Sequence, residues 1–294
     1  MMPKAFSWMH RPRAGIRPTS MKQPERTQAL RWLFSSSAST TATSPRAQST
    51  TLLLSGAVLL AAWQALVLLL GTPPWLLPGP VDVLNRFGQA IGDGTLVQHV
   101  VPTLIESLGG FGLALLVGSL VGYLVAYSRR LERWIAPYLA AAQAIPVIAV
   151  APLIIIWLGY SSDITRNILI AAIVVVFPIF SSTVAGVRGV SRELREVGLV
   201  EGATWWQRLR YIEVPLALPI LFSGFRTSLA YATTGAVVGE FIGSRFGLGA
   251  MINVARGFFD TPLIFVALVC LGLMTLLFST VVLSLERLLV SWQD

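Results

Sequence analysis

The chain is poor in charged residues, in cysteine and in histidine. Asp, Glu, Lys and Arg make up 12% of its 294 residues, about half of the share that is usual in soluble domains, roughly 25%. The one cysteine, Cys270, lies in an apolar run, and a lone thiol forms neither an internal disulfide nor a multi-cysteine metal site. The two histidines, His10 and His99, are far apart in sequence. The composition therefore argues against a soluble domain, a disulfide-stabilised fold and a metal centre.

Lysine is also scarce, and its positions exclude a nucleotide-binding site of the common kind. Lys4 and Lys22 are the only lysines, and neither lies in a G-x-x-x-x-G-K-[ST] phosphate-binding loop. A membrane enzyme would need His, Asp or Glu clustered at catalytic spacing, and the sequence has no such cluster. We therefore predict no catalytic residue, no cofactor and no metal, and we expect that the chain is not an enzyme.

Long hydrophobic runs are what the sequence has in abundance. Hydrophobic residues make up 54% of the chain, and the mean hydropathy is +0.70. A membrane-spanning helix needs about 20 mostly apolar residues. Runs of this kind predict an all-α membrane protein with six transmembrane helices, at residues 52–70, 103–127, 135–158, 167–187, 216–242 and 262–285. Pro146 and Pro152 lie in the third run and predict a kink or a break there.

Basic residues are concentrated before the first hydrophobic run. The net charge is +8, and residues 1–50 are polar, with Glu25 as their only acidic residue. Such a segment buries too little apolar surface to fold, so we predict a disordered basic cytoplasmic tail beside membrane lipid, with no nucleic-acid partner. Residues 51–294 then form the transmembrane domain. Two alternatives stay open for the tail: an organelle transit peptide, and a translation start at Met21 rather than Met1.

Arginines between the runs predict the orientation. Cytoplasmic connections carry an excess of Lys and Arg, and the connections on one side hold nine arginines against four on the other. Both termini are therefore expected in the cytoplasm, in a bacterial inner membrane or a plasma membrane. On the outer side, apolar residues with helical spacing predict a short amphipathic helix at the membrane interface; they are Val81, Val83, Leu84, Phe87 and Ile91.

Residues 188–215, between the fourth and fifth runs, are too charged to cross a membrane but suit two short helices. Ser191 can cap the first helix, Gly202 interrupts it, and Thr204 can cap a second helix that Pro215 ends. We predict a helical hairpin along the cytoplasmic face, whose apolar residues Leu194, Val197, Leu209 and Ile212 fit a groove on a partner. An ordinary amphipathic connection between two spans is the alternative.

The spacing of residues in this loop resembles the coupling loop of ATP-binding-cassette importer permeases. The family pattern is Glu-Ala-Ala, three residues, Gly, nine residues, Ile, one residue, Leu-Pro. Val197 and Gly198 replace the two alanines of that pattern, and Val214 replaces the leucine. The resemblance assigns the coupling role to Glu196, Gly202, Ala203, Ile212 and Pro215.

Four further blocks are similar to permeases of the nitrate, sulfonate and taurine type, between residues 75 and 292. They are WLLPGPVDVL, AIPVIAVAPLIIIWLGYS, YIEVPLALPILFSGFRTSLAYA and GEFIGSRFGLGAMI. The resemblance implies the type I importer fold, a cytoplasmic ATP-binding subunit, an extracytoplasmic solute-binding protein and a second permease copy. We predict a homodimer of permeases, and a heterodimer is the alternative. It implies as substrate a vitamin or its precursor, such as riboflavin or a thiamine pyrimidine, or a small anion such as nitrate, a sulfonate or taurine. The GEFIGS region is nearer to the vitamin branch.

Polar residues inside the hydrophobic runs are candidates for the translocation path, because such residues are costly at membrane depth. The candidates are Gln143, Tyr231, Thr233, Thr234 and Glu240. Glu106 and Arg226 are further ionisable residues in the runs. Each of these charged side chains has a structural alternative, which is contact with headgroup water for the acids and snorkelling for the arginine. A secondary transporter or a channel would share the composition, but the polar residues are too sparse to indicate an ion site or a filter.

Overall fold

The computed structural model describes residues 45–159 and 162–290, and its described residues are helical or in short connections. The chain divides into two units, Met1–Val58 and Leu59–Asp294. Helix α1, Pro45–Leu70, begins within the predicted tail. The rest of the predicted tail, residues 1–44, lies outside the described residues.

The remaining helices all belong to the second unit. Their bounds are α2 Pro80–Gly92, α3 Thr95–Tyr127, α4 Arg129–Ala144, α5 Val147–Leu158, α6 Asp163–Gly189, α7 Arg192–Val200, α8 Trp205–Arg208, a π segment Leu209–Glu213, α9 Val214–Gly243, α10 Leu248–Gly257 and α11 Thr261–Leu289. Helices α3, α6 and α9 form the centre, with α5 packed on α6 and α9, and α11 packed on α9 and α10. Helix α2, the predicted amphipathic helix, packs on α11 through its buried residue Val83.

The six predicted spans are not confirmed by the described part of the chain. Within residues 45–159 and 162–290, four helices are long and apolar enough to cross a membrane, Thr95–Tyr127, Asp163–Gly189, Trp205–Gly243 and Thr261–Leu289. The bent pair Arg129–Ala144 and Val147–Leu158 makes a fifth if it is one broken span. The first predicted span is helical, but the described apolar part is the shorter Leu54–Leu70.

The predicted proline break is confirmed between α4 and α5. The two helices meet at an angle of 98°, and the break falls at Ile145 and Pro146, both of which have extended backbone angles. Proline disfavours helical angles at the residue before it, so Ile145 cannot continue α4. Pro152 stays inside α5. Pro102 likewise lies inside α3, which begins eight residues before the predicted start of that span.

Small residues let α3 approach α6 closely. A Cβ placed on Gly110 would lie 2.4 Å from the Cβ of Ala171, and one on Gly118 would lie 2.8 Å from the backbone oxygen of Val176. Helices in a membrane gain little from burying apolar surface against each other, so they associate through close packing of small residues. Beside this contact, buried residues of α3, α6 and α9 form one cluster: Ala114, Ala172, Val175, Ile179 and Ala232.

Candidate functional site

The first arm of the loop 188–215 ends in a hydrogen-bonded helix stop. Ser191 Oγ accepts from the Leu194 amide at the start of α7. At its end Gly202 has φ of +75°; its amide donates to the Leu199 carbonyl, and the Ala203 amide donates to the Gly198 carbonyl at 2.9 Å. This is the Schellman arrangement, in which the left-handed position favours glycine. The predicted cap and interruption are therefore present in this loop.

The second arm starts as predicted but does not end as predicted. Thr204 and Gln207 form a capping box: the Thr204 amide donates to Gln207 Oε1 at 2.8 Å, and the Gln207 amide donates to Thr204 Oγ1. The helix then continues past Pro215 into α9, so the expectation that Pro215 ends it is wrong. The π segment makes this possible, because the Val214 amide reaches back to the Leu209 carbonyl. Pro215 is the second residue after this segment, a position at which a helix tolerates a proline that cannot donate a backbone hydrogen bond.

The two arms contact each other at a position without a side chain. A Cβ on Gly198 would lie 2.8 Å from Ile212 Cδ1 and 3.3 Å from Arg208 Cγ. This contact explains why a small residue stands at position 198 and a branched apolar residue at 212. Ile212 and Leu209 are half-buried, whereas Leu194 and Val197, also predicted to meet a partner, are exposed.

The outer surface of the hairpin loop is apolar and exposed. Its large hydrophobic side chains are each at least 46% exposed, and Val200 reaches 85%; they are Leu194, Val197, Leu199, Val200, Trp205 and Trp206. Glu196 lies among them and pairs with Arg192 at 3.1 Å, with both side chains exposed. An exposed pair of this kind contributes little to stability. The surface therefore suits contact with another protein, with Glu196 available to it.

A buried carboxylate that the sequence pattern did not indicate holds the hairpin loop to α3. Glu213 is 3% exposed and accepts hydrogen bonds from the Tyr123 hydroxyl, at 3.0 Å, and from the Tyr127 hydroxyl. The Arg195 guanidinium lies 3.9 Å from the same carboxylate and 5.5 Å from the centre of the Tyr127 ring. Two tyrosines four residues apart at the end of a span were the available sequence signal.

A bidentate ion pair fixes the beginning of the hairpin loop. Arg188 donates to both carboxylate oxygens of Glu132, at 2.8 Å each. It also donates to the backbone oxygens of Val125 and Ala126 at the end of α3. The parallel geometry makes this pair more specific than a single contact. Both ends of the loop are thus tied to the α3–α4 corner.

The structure brings two of the predicted path residues together at the α4–α5 break. Gln143 and Tyr231 line a cavity of about 300 Å³, with Pro146 and Val174 among its other walls. Gln143 also lines a second cavity, of about 600 Å³, between α6 and α9, with Ser182 and Thr227. Among the described residues, no Lys, Arg or His lines either cavity.

The other three predicted path residues lie elsewhere. Thr233 is buried and donates to the Leu229 carbonyl, and Thr234 is exposed and donates to the Ala230 carbonyl. Glu240 is 1% exposed. Its carboxylate accepts from the Thr103 hydroxyl at 2.6 Å and from the Gly249 amide at 2.7 Å. The glycines near Glu240 have a packing role, because a Cβ on Gly247 would lie 2.2 Å from Glu240 Cδ.

The ionisable residues outside the predicted path also have partners. Glu106 is buried beside Glu240 and accepts from Asn167. Arg226 donates to Glu286 at 2.8 Å, which ties α9 to α11. Arg226 therefore has an ion-pair partner within the protein, which the sequence did not indicate, in addition to any snorkelling.

Comparison with known proteins agrees with the helical membrane fold. The long apolar helices define a polytopic helical membrane protein. The family model described as "Binding-protein-dependent transport system inner membrane component" matches residues 114–293, and the chain belongs to this family. It is therefore a multi-pass membrane protein and the permease subunit of an ATP-binding-cassette importer, a transport subunit and not an enzyme.

Individual relatives extend the match over most of the chain. The riboflavin transport system permease protein RibX of Chloroflexus aurantiacus is 52% identical over 236 residues, 80% of this chain and 87% of RibX. The formylaminopyrimidine transport permease protein ThiX of Halalkalibacterium halodurans is 31% identical, over 80% of this chain and 93% of ThiX. The solved inward-facing MetNI methionine ABC transporter matches with a TM-score of 0.59 at 20% identity, over 66% of this chain and 95% of the matched chain. That similarity supports the fold of a type I importer permease.

Proposed function

We propose that this chain is the permease of a riboflavin importer. The observation that carries the proposal is the 52% identity to RibX over 80% of the chain. The cavity at the α4–α5 break supports it, because Tyr231 offers an aromatic ring and Gln143 an amide to a flat heteroaromatic solute. The described linings contain no Lys, Arg or His, so they offer a sulfonate or nitrate no charge-assisted hydrogen bond.

The proposal includes partners that the permease needs. A cytoplasmic ATP-binding subunit would receive the exposed apolar surface of the hairpin loop, and an extracytoplasmic solute-binding protein would deliver riboflavin. A second copy of the chain would complete the path. The sixteen residues of α4 are all at least partly exposed, so this helix has a face to offer to a second copy or to lipid. A stoichiometric ATPase subunit copurifying from native membranes supports the assembly, and a solitary chain after crosslinking contradicts it.

The proposed orientation places both termini and the hairpin loop in the cytoplasm of a cell-membrane protein. Its support is the excess of arginines in the connections on that side. A cysteine introduced at Ser191 should resist an impermeant thiol reagent added to intact cells. Labelling from outside would contradict the orientation.

Uptake measurements test the substrate. Cells that express the complete importer are expected to accumulate labelled riboflavin, and excess unlabelled taurine or nitrate should not compete. Replacing Tyr231 by alanine should lower riboflavin uptake about tenfold, because loss of one aromatic contact of about 1–1.5 kcal/mol has that effect. Thr234→Ala is the matched control, since Thr234 lies on the same helix outside the described cavity linings. Equal uptake by the Tyr231 and Thr234 variants, or uptake of taurine alone, contradicts the proposal.

The turn at Gly202 gives a test of coupling. Gly202→Val should insert normally but lose most ATPase stimulation by substrate, because a left-handed conformation costs a branched residue more than about 1–2 kcal/mol. Gly202→Asn should retain activity, since asparagine tolerates φ near the observed +75°. A Cβ at this position meets nothing within 4 Å, so the effect is conformational rather than steric. Valine and asparagine variants that behave alike contradict the role of the turn.

A further inference from the structure

Two acidic side chains lie side by side in the packed interior, where α3, α6, α9 and α10 meet. Glu106 and Glu240 are each 1% exposed. Glu240 is bonded to Thr103, which lies three residues before Glu106 on α3, and Glu106 is bonded to Asn167, so the two carboxyl groups share one buried region. The ion pairs among the described residues include neither of them. Two ionised carboxylates in this position would carry two uncompensated buried charges, which is very costly.

Donors are distributed unequally between the two groups. Glu240 accepts from the Thr103 hydroxyl at 2.6 Å and from the Gly249 amide at 2.7 Å. Gly249 is in the first turn of α10, so the positive end of that helix faces Glu240. Glu106 Oε1 accepts from Asn167 Nδ2 at 2.9 Å. Glu106 Oε2 is fully enclosed and has no donor in the described part of the chain.

The charged groups around the pair are engaged elsewhere. On α3, His99 Nδ1 contacts the Gly247 backbone, 2.8 Å from its oxygen and 3.2 Å from its nitrogen. On α6, Arg166 donates to Asp163 and to the Gly159 and Gly243 carbonyls. Arg245, which follows α9, is exposed, and its backbone amide donates to Asp163. In these contacts His99, Arg166 and Arg245 are bonded to groups other than the two carboxyl groups. A proton on one of the carboxyl groups can lower the charge of the pair instead.

We propose that Glu106 and Glu240 form a proton-binding site, in which one proton on Glu106 Oε2 is shared with the Glu240 carboxylate. A protonated Oε2 becomes a donor and removes the one unsatisfied buried oxygen of the pair. Glu240 keeps the negative charge because its donors and the α10 N-terminus stabilise the ionised form. The proton enters from water, and the net charge of the site falls from −2 to −1.

A metal ion fits the same site poorly. Calcium takes six to eight oxygen ligands and magnesium needs a near-ideal octahedron, whereas this pair offers two carboxyl groups. The surrounding backbone is also close: a Cβ on Gly249 would lie 3.0 Å from Glu240 Oε2, and one on Gly239 would lie 2.4 Å from Asn167 Oδ1. The shared proton clamps α10 onto α3 and α9, since Leu248 is bonded to Thr103 in the same network.

Infrared difference spectroscopy on the full-length chain in lipid nanodiscs tests the site. The wild type at neutral pH should show the carbonyl stretch of a protonated carboxylic acid, and E106Q should lose it. E132Q is the control, because Glu132 is an ion-paired surface carboxylate and its removal should change only carboxylate bands. Persistence of the acid band in E106Q, or its absence from the wild type, overturns the proposal.

Thermal unfolding gives a second measurement. Glutamine at 106 imitates the protonated acid, because its amide can donate to Glu240 while its oxygen accepts from Asn167. E106Q should therefore unfold within about 2 °C of the wild type, and E240Q should unfold about 5 °C or more lower. Wild-type stability that requires Na⁺ and is lost in E106Q would show a bound cation instead and would overturn the shared proton.

Discussion

Glu213→Ala is expected to leave the permease in the membrane but to reduce transport more than tenfold while ATP hydrolysis continues. The substitution removes the acceptor of the Tyr123 and Tyr127 hydroxyls and the carboxylate beside Arg195. A hydrogen bond to a charged group contributes about 1.5–3 kcal/mol, and a loss of about 1.4 kcal/mol in a coupling equilibrium is a factor of ten. The hairpin loop would then move without pulling α3.

Graded variants distinguish this role from general destabilisation. Glu213→Gln keeps an oxygen for the tyrosines but no charge for Arg195, so it should have an intermediate effect. Tyr127→Phe should have a smaller effect, because Tyr127 is half-exposed. Tyr211→Phe, on the same arm and 70% exposed, is the control and should match the wild type. Transport and ATPase activity are measured in the same proteoliposomes. Parallel loss of both activities in Glu213→Ala would indicate misfolding rather than uncoupling.

Gly118→Leu is expected to prevent correct packing of the central helices. The new Cβ would lie 2.8 Å from the Val176 carbonyl oxygen and 3.1 Å from Ile179 Cγ2, and backbone atoms cannot move aside as a side chain can. Overpacking costs about 1–3 kcal/mol or more even where side chains can adjust. We expect a fall of at least about 5 °C in the unfolding temperature, or loss of folded protein on gel filtration.

The same helix provides a matched control for that substitution. A Cβ on Gly112 meets nothing within 4 Å, and Gly112 is exposed. Gly112→Leu therefore adds the same side chain to the same helix without a clash and should preserve the unfolding temperature. Equal destabilisation by both variants would mean that helix flexibility, rather than the α3–α6 contact, requires glycine in α3.

Local sequence signals predicted the helices and the hairpin loop, because the physics that decides them is local. Ser191, Thr204 and Gly202 each act within a few residues, and their caps and turn are present. The break at Pro146 follows from the steric effect of proline on the preceding residue. Pro215 misled the prediction because its effect depends on the hydrogen-bond pattern before it, and a π segment of this kind is not visible in composition.

The contacts between distant residues could not be predicted in the same way. Glu213 meets residues about ninety positions earlier, and Asn167 meets Glu106 across sixty-one positions. Such pairs depend on which helix faces which, and hydrophobic runs without a polar face do not specify rotation about the helix axis. Polarity alone therefore grouped Glu240 with Gln143 as path residues, although the first is buried among helices and the second lines a cavity.

The continuity of Trp205–Gly243 has a mechanical consequence. This single helix starts in the second arm of the hairpin loop and ends next to the buried acid pair. Glu213 and Glu240 are twenty-seven residues apart on it, which at 1.5 Å per residue is a distance of about 40 Å. If this helix tilts as a rigid body about a point along its length, its two ends move in opposite directions. The tyrosine contacts at one end and the proton-held contacts at the other would then be coupled through this helix. Breaking the contacts at one end would change the strain on those at the other.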